Sequence, residues 1–145
     1  MSQASDGNPK SPPRIDFYEM SGRFTDPIEV AGVLVSKAFP ATADIAVIGN
    51  RAQLKALDAR LWEKPDGRFL PHGIDDATAP IRLVDKAPER ASLLINLDAD
   101  AELPAGSYER VLEVVPPDEQ AKKRLRQRWT EWKARGADLH HHLLK

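Results

Sequence analysis

Ala43-Asp44-Ile45-Ala46-Val47-Ile48-Gly49-Asn50 is the stretch on which the fold turns. Apart from Asp44, its first six residues are apolar without alternation. A strand with one wet face alternates; a strand buried on both faces does not, and such strands belong to parallel sheets covered by helices on either side. Gly49 ends the run, and Asn50 is a residue type that caps helix N-termini. The following segment places Leu54, Leu57 and Leu61 at i, i+3, i+7 among Arg and Lys residues, the one-faced stripe of a helix packed on a sheet. It ends before Pro65. Working upstream, Ile15-Asp16-Phe17-Tyr18 is short, aromatic and β-rich, and predicts a first strand. Residues 21–25 predict a turn. Asp26-Pro27 predicts a cap followed by proline at the first helical position, with the helix running to about Phe39, where Pro40 stops it.

Downstream, residues 65–80 read as a long connection carrying Pro65, Gly67, Pro71 and Gly73, yet holding the apolar Phe69-Leu70-Pro71. Short strands are predicted at 81–84 and 93–96, and a loop or single helical turn at 103–108. A last strand is predicted at 111–115, stopped by Pro116-Pro117. Asp118 caps a final long helix, with Glu119 in its first turn and Gly136 as its stop. The order βαβα, ββ, βα predicts an α/β fold. It is a single three-layer domain over residues 14–145, with a central, mostly parallel sheet flanked by helices in a Rossmann-like topology. Residues 1–13, rich in Ser and Pro, read as a flexible tail outside the core.

Composition narrows the function classes. The chain has 145 residues, 41% hydrophobic and 30% charged, with 21 basic against 22 acidic side chains, a net charge of -1 and no cysteine. The near-neutral balance argues against a whole-molecule basic field for duplex DNA. The missing thiols remove disulfides, thiolate zinc sites and cysteine nucleophiles together. No run approaches the roughly 20 apolar residues of a spanning helix, and the N-terminus has no signal-peptide core. A cytoplasmic protein without a cofactor is expected.

Several familiar sites fail on their own chemistry. The turn at Gly49-Asn50-Arg51-Ala52 lacks the repeated glycines that let backbone approach a pyrophosphate, and no Gly-rich loop ending in Gly-Lys-Ser/Thr is present, so a nucleotide site is not expected. Asp98, Asp100, Glu102 and Glu109 have part of a calcium-loop spacing, but Leu103 stands where the sharp turn requires glycine. His140, His141 and His142 are consecutive, so their side chains diverge and do not form one metal face. His72, after Pro71 in an apolar loop, reads as a hydrogen-bonded structural histidine.

Two features point to binding. From 118 to 136 the last helix carries Lys122, Lys123, Arg124, Arg126, Arg128, Lys133 and Arg135. At about 100° per residue, Lys122, Arg126, Trp129 and Lys133 share a face, while Ala121, Leu125 and Trp132 point to the sheet. An indole flanked by cations suits a ligand both apolar and anionic: an acidic peptide tail, or single-stranded nucleic acid stacking on Trp129. Complementing the helix dipole accounts for Lys133 and Arg135 but not for cations in the first two turns. The second feature is Trp62, which follows the stripe residue Leu61 and so points about 100° off it, beside Phe69 and Pro71. It forms either an exposed interface patch or a satellite core cluster that closes the loop on the helix.

The same residues resemble the chi subunit of bacterial DNA polymerase III. The likeness runs through Asp16-Phe17-Tyr18, Leu57-Asp58 with Leu61-Trp62, Phe69-Leu70-Pro71-His72-Gly73, Leu94-Ile95-Asn96-Leu97, Glu113-Val114-Val115, and a basic helix with Lys122, Arg126, Arg128, Trp129 and Gly136, all in order over about residues 14–140. The resemblance implies a non-catalytic accessory subunit that links the clamp loader to single-stranded-DNA-binding protein in DNA replication. It implies that Lys122, Arg126 and Trp129 receive that partner's acidic C-terminal tail. Thr130 replaces a basic residue frequent in the family, which implies either weaker tail binding or substitution by Lys133 from the next turn. Trp62, Phe69 and Pro71 would face the psi subunit or another clamp-loader subunit. The alternative is a direct single-stranded nucleic-acid-binding module on the same helix, for which one exposed aromatic gives a short stacking track.

Overall fold

The computed structural model describes residues 12–63, 70–98 and 100–145. Ten elements follow in order: β1 (Arg14–Met20), α1 (Pro27–Ala38), β2 (Ile45–Ile48), α2 (Arg51–Trp62), β3 (His72–Ile74), β4 (Ile81–Val84), β5 (Arg90–Asn96), β6 (Ser107–Val115), α3 (Glu119–Ala134) and β7 (Asp138–Leu144). The seven strands form one sheet in the order β3-β4-β2-β5-β6-β1-β7. Each adjacent pair is parallel.

The apolar run that opened the analysis explains the layering. β2 lies inside the sheet and all four of its residues are buried. Because side chains alternate across a strand, Ile45 and Val47 enter one core and Ala46 and Ile48 the other. The first core takes Val30, Ala31 and Val35 of α1 and Leu54, Leu57 and Leu61 of α2. The second takes Ala121 and Trp132 of α3. The sheet is thus covered by α1 and α2 on one side and by α3 on the other, the three layers expected for an α/β domain with a parallel sheet.

Local chemistry sets the helix ends. Asp26 accepts from the Ile28 N–H at 3.0 Å, and Pro27 opens α1. Asn50 and Gln53 form a reciprocal capping box at α2, with bonds of 2.9 and 2.8 Å. Gln53 also donates to the Leu97 carbonyl at 3.1 Å, tying the α2 N-terminus to the end of β5. Asp118 accepts from the Ala121 N–H at 2.8 Å, and Gly136, at φ +82, makes the left-handed turn after α3.

Three strand expectations are corrected. The connection expected over 65–80 contains β3, and β6 is longer than expected, beginning at Ser107. Nor is β6 the last strand: the chain re-enters the sheet as β7, parallel to β1. β3 has only three residues, one of them glycine, and exists because β4 offers it a pairing edge. Its return to β4 uses residues 75–80 instead of the usual helical crossover, turning at Asp75 with φ 57. In β7 the histidine run conceals a period of two. Leu139 packs on the α3-side core and Leu144 on the other, with histidines between.

Candidate functional site

The setting of α3 is fixed by a buried carboxylate. Glu113 of β6 is 3% exposed and points into the α3 side of the sheet. Its Oε2 accepts from Arg128 Nε and Nη2 at 3.0 and 2.8 Å and from Trp132 Nε1 at 3.1 Å; its Oε1 accepts from Asn96 Nδ2 at 2.8 Å. Asn96 Oδ1 in turn accepts from the Asp98 N–H at 3.0 Å. Arg128 Nη1 donates to the Ala101 carbonyl at 2.6 Å. A buried ion pair holds only when its remaining donors and acceptors are also satisfied, and here the network joins β5, β6 and α3 to the backbone of Asp98 and Ala101. It locks the rotation of the helix about its own axis.

That rotation decides which cations are outward. Arg128, basic in sequence, is a core residue. Arg124 pairs with Asp100 at 2.9 Å, and Arg135 donates to the Pro104 carbonyl at 2.6 Å, both on the flank toward β5. Lys122 has a loose contact with Glu119 at 3.7 Å. Among the described residues, no carboxylate pairs with Lys123, Arg126 or Lys133. Trp129 is half-buried, its ring tilted on Phe17 of β1 with centroids 5.3 Å apart. Helical spacing puts Lys122, Arg126 and Lys133 on the side of α3 that carries Trp129, whose ring packs on Phe17 of β1. A cavity of about 670 Å³ on the opposite flank includes Asp100, Glu102 and Glu131 beside Arg124 and Arg135. Its mixed charge suits an anionic ligand less well.

The second predicted cluster lies on the other side of the sheet. Trp62, at the end of α2, is 61% exposed, and Pro71 is half-buried. Phe69 lies outside the described residues. The fully buried His72 side chain has Nδ1 2.6 Å from the Leu70 carbonyl and Nε2 3.1 Å from Asp58 Oδ1, and its ring lies 4.8 Å from that of Trp62. It is a bonded structural histidine beneath an exposed indole.

The histidine run is also structural. Along β7, His142 lies 2.8 Å from Asp16 Oδ1, His141 2.8 Å from Glu19 and His140 3.1 Å from Asp138. Asp16 is buried and further receives Arg14 Nε at 3.1 Å and Arg110 Nε at 2.7 Å. Burial alone would raise its pKa; the bonds from Arg14, Arg110 and His142 outweigh that and hold the carboxylate at about 2. Among the described residues, no three His, Asp or Glu side chains converge as a metal site, and no helix is long and apolar enough to cross a membrane.

Sequence reasoning missed Asn96, Glu113 and Arg128 as one unit, and missed Asp16 with Arg110. The signal was present: a polar residue inside an apolar strand, as in Val111-Leu112-Glu113-Val114-Val115, is rarely buried without a partner.

A three-layer parallel α/β domain, with a basic, indole-bearing helix on one face and an exposed tryptophan on the other, is the class that fold and surface define. Residues 13–140 match the family model described as DNA polymerase III chi subunit, HolC. The chain is 30% identical over 139 residues to the DNA polymerase III subunit chi of Pseudomonas aeruginosa, covering 90% of this chain and 96% of that one. It is 30% identical over 97 residues to the subunit chi of Haemophilus influenzae, covering 62% and 67% respectively. The chain belongs to the DNA polymerase III chi subunit family, whose members are accessory subunits of the replicase.

Proposed function

We propose that this chi-family chain is a non-catalytic, cytoplasmic adaptor of the replisome. On the α3 side, Lys122, Arg126, Trp129 and Lys133 bind the acidic C-terminal tail of single-stranded-DNA-binding protein. On the α2 side, Trp62, Phe69 and Pro71 contact the psi subunit or another clamp-loader subunit. The observation that carries the reading is the outward flank of α3, where Arg126 and Lys133 stand without a carboxylate partner among the described residues beside a half-buried indole. Unpaired guanidinium and ammonium groups are available for charge-assisted bonds to carboxylates, and Trp129 offers the apolar surface that a tail ending in an apolar residue needs. Lys133, one turn beyond Trp129, supplies the cation that Thr130 does not.

The discriminating experiment compares intact single-stranded-DNA-binding protein with a version lacking its C-terminal tail, each loaded on the same oligonucleotide. The adaptor reading expects binding to the first and its loss with the second, although the DNA is unchanged. Equal binding to both, or to bare oligonucleotide, would favour direct recognition of single strands.

A further inference from the structure

We propose that the chain forms a two-fold dimer through the open edge of β7, which pairs antiparallel with β7 of a second copy about His141.

β7 closes one side of the sheet. It pairs with β1, and no described residue pairs with its other side. The ladder with β1 runs unbroken from Arg14↔Asp138 to Met20↔Leu144. Two bonds show which backbone groups it leaves over. The Asp138 N–H donates to the Pro13 carbonyl at 3.1 Å, and the Leu144 carbonyl accepts from the Ser21 N–H at 2.9 Å. Backbone groups of successive residues turn to opposite sides of a strand, so the even-numbered residues of β7 face β1. Leu139, His141 and Leu143 each present an N–H and a C=O to the open side. Edges that stay single are blunted by proline, lysine, a bulge or shortness. β7 has no such device between Asp138 and Leu144.

The edge complements itself in one register. With His141 opposite His141 of the second copy as a hydrogen-bonded pair, Leu139 falls opposite Leu143, and Leu143 opposite Leu139, as hydrogen-bonded pairs as well. Every outward N–H and C=O of Leu139, His141 and Leu143 is then satisfied. Registers centred on His140 or His142 leave Leu143 or Leu139, respectively, without a partner in the facing strand. The paired side chains share the α3 side of the sheet, where Leu139 packs on the core and Leu143 is 48% exposed. Pairing covers Leu143 with Leu139 of the second copy. On the other face His140 falls opposite His142. Lys145 comes across from the Ala137–Asp138 segment of the second copy, which brings opposite charges together at both ends of the contact. Paired residues lie on the same face, so the two-fold axis is perpendicular to the sheet. Both α3 helices then stand on one side of a continuous sheet, with α1 and α2 of both copies on the other.

An edge contact of this length belongs to the small, transient class of interfaces, below about 1,200 Å². The test is sedimentation velocity of the full chain from micromolar concentrations to about 1 mM, with EDTA present so that no metal bridges the histidines. The wild type should pass from monomer to dimer as concentration rises. His141→Pro removes an outward N–H and leaves the bonds to β1 in place; Leu143→Lys puts an ammonium on the edge. Each should stay folded and remain monomeric. Because the chain has no cysteine, introduced thiols read the register. His140 and the facing His142 form a non-hydrogen-bonded pair, with Cα atoms about 4.5 Å apart, within reach of a disulfide. Mild oxidation of a mixture of His140→Cys and His142→Cys should give about tenfold more cross-linked dimer than either variant alone, whose thiols face each other only diagonally. A wild type that stays monomeric throughout would assign the edge to a different strand, from another protein or from residues 1–11, and overturn the proposal. A dimer that persists in both His141→Pro and Leu143→Lys, or equal cross-linking in the mixture and the single variants, would place the contact elsewhere and overturn it as well.

Discussion

Glu113 shows how one side chain decides where a helix points. It accepts from Asn96, Arg128 and Trp132, and none of these partners has a ready substitute in the core. Replacing it by leucine leaves the Arg128 guanidinium buried without its counter-ion, and unfolding in urea should show a loss of roughly 3–5 kcal/mol. The double replacement of Glu113 by leucine and Arg128 by methionine should recover most of that loss, because the desolvation of both charges is removed. Asp16 gives a prediction in pH. Its folded pKa, about 2, lies below the ordinary 3.8. Its contribution is therefore complete above about pH 4, falls as the unfolded chain takes up its proton first, and is gone below about pH 2. The difference corresponds to ~2 kcal/mol. Asp16→Asn should flatten the acid limb of the stability curve over that window while lowering stability at pH 7. An unchanged acid limb would mean that the bonds from Arg14, Arg110 and His142 persist in the unfolded chain.

At the scale of elements, helices were legible because each carries its own signals. Asp26-Pro27, Asn50 and Asp118 announce the starts, and the Leu54, Leu57, Leu61 stripe gives the face. Asn50→Ala removes one half of the capping box and should cost about 1 kcal/mol, read from the thermal midpoint. β2 was legible for the opposite reason: a buried central strand has no polar face to confuse. β3 and β7 were not, since neither is formed by its own propensity. β3 is three residues added to an edge, and β7 is a histidine-rich strand held through Asp16 and Glu19 of β1, partners more than a hundred positions away. Helical spacing alone puts Lys122, Arg126, Trp129 and Lys133 on one side of α3. Which cations are consumed internally could not be read from it, because Asp100, Pro104 and Glu113 reach α3 from separate strands and loops.

On the scale of the whole molecule, the sheet separates the two proposed surfaces. Trp62 and Pro71 lie with α2 on one side and Trp129 with α3 on the other, each backed by its own core. Changes in one should leave the other intact. Arg126→Ala should weaken tail binding without altering clamp-loader binding or the melting temperature, since Arg126 is exposed and makes no ion pair among the described residues. Trp62→Ala should do the reverse.

The most direct test of the adaptor account is fluorescence anisotropy with a labelled acidic peptide copying the C-terminus of single-stranded-DNA-binding protein, titrated at low salt with the wild-type chain, Arg126→Ala and Trp129→Ala. The account predicts micromolar binding (about -8 kcal/mol), weakened by roughly 1–3 kcal/mol in each variant, with both variants folded. Absence of binding by the wild type, or unchanged affinity in folded variants, would contradict it.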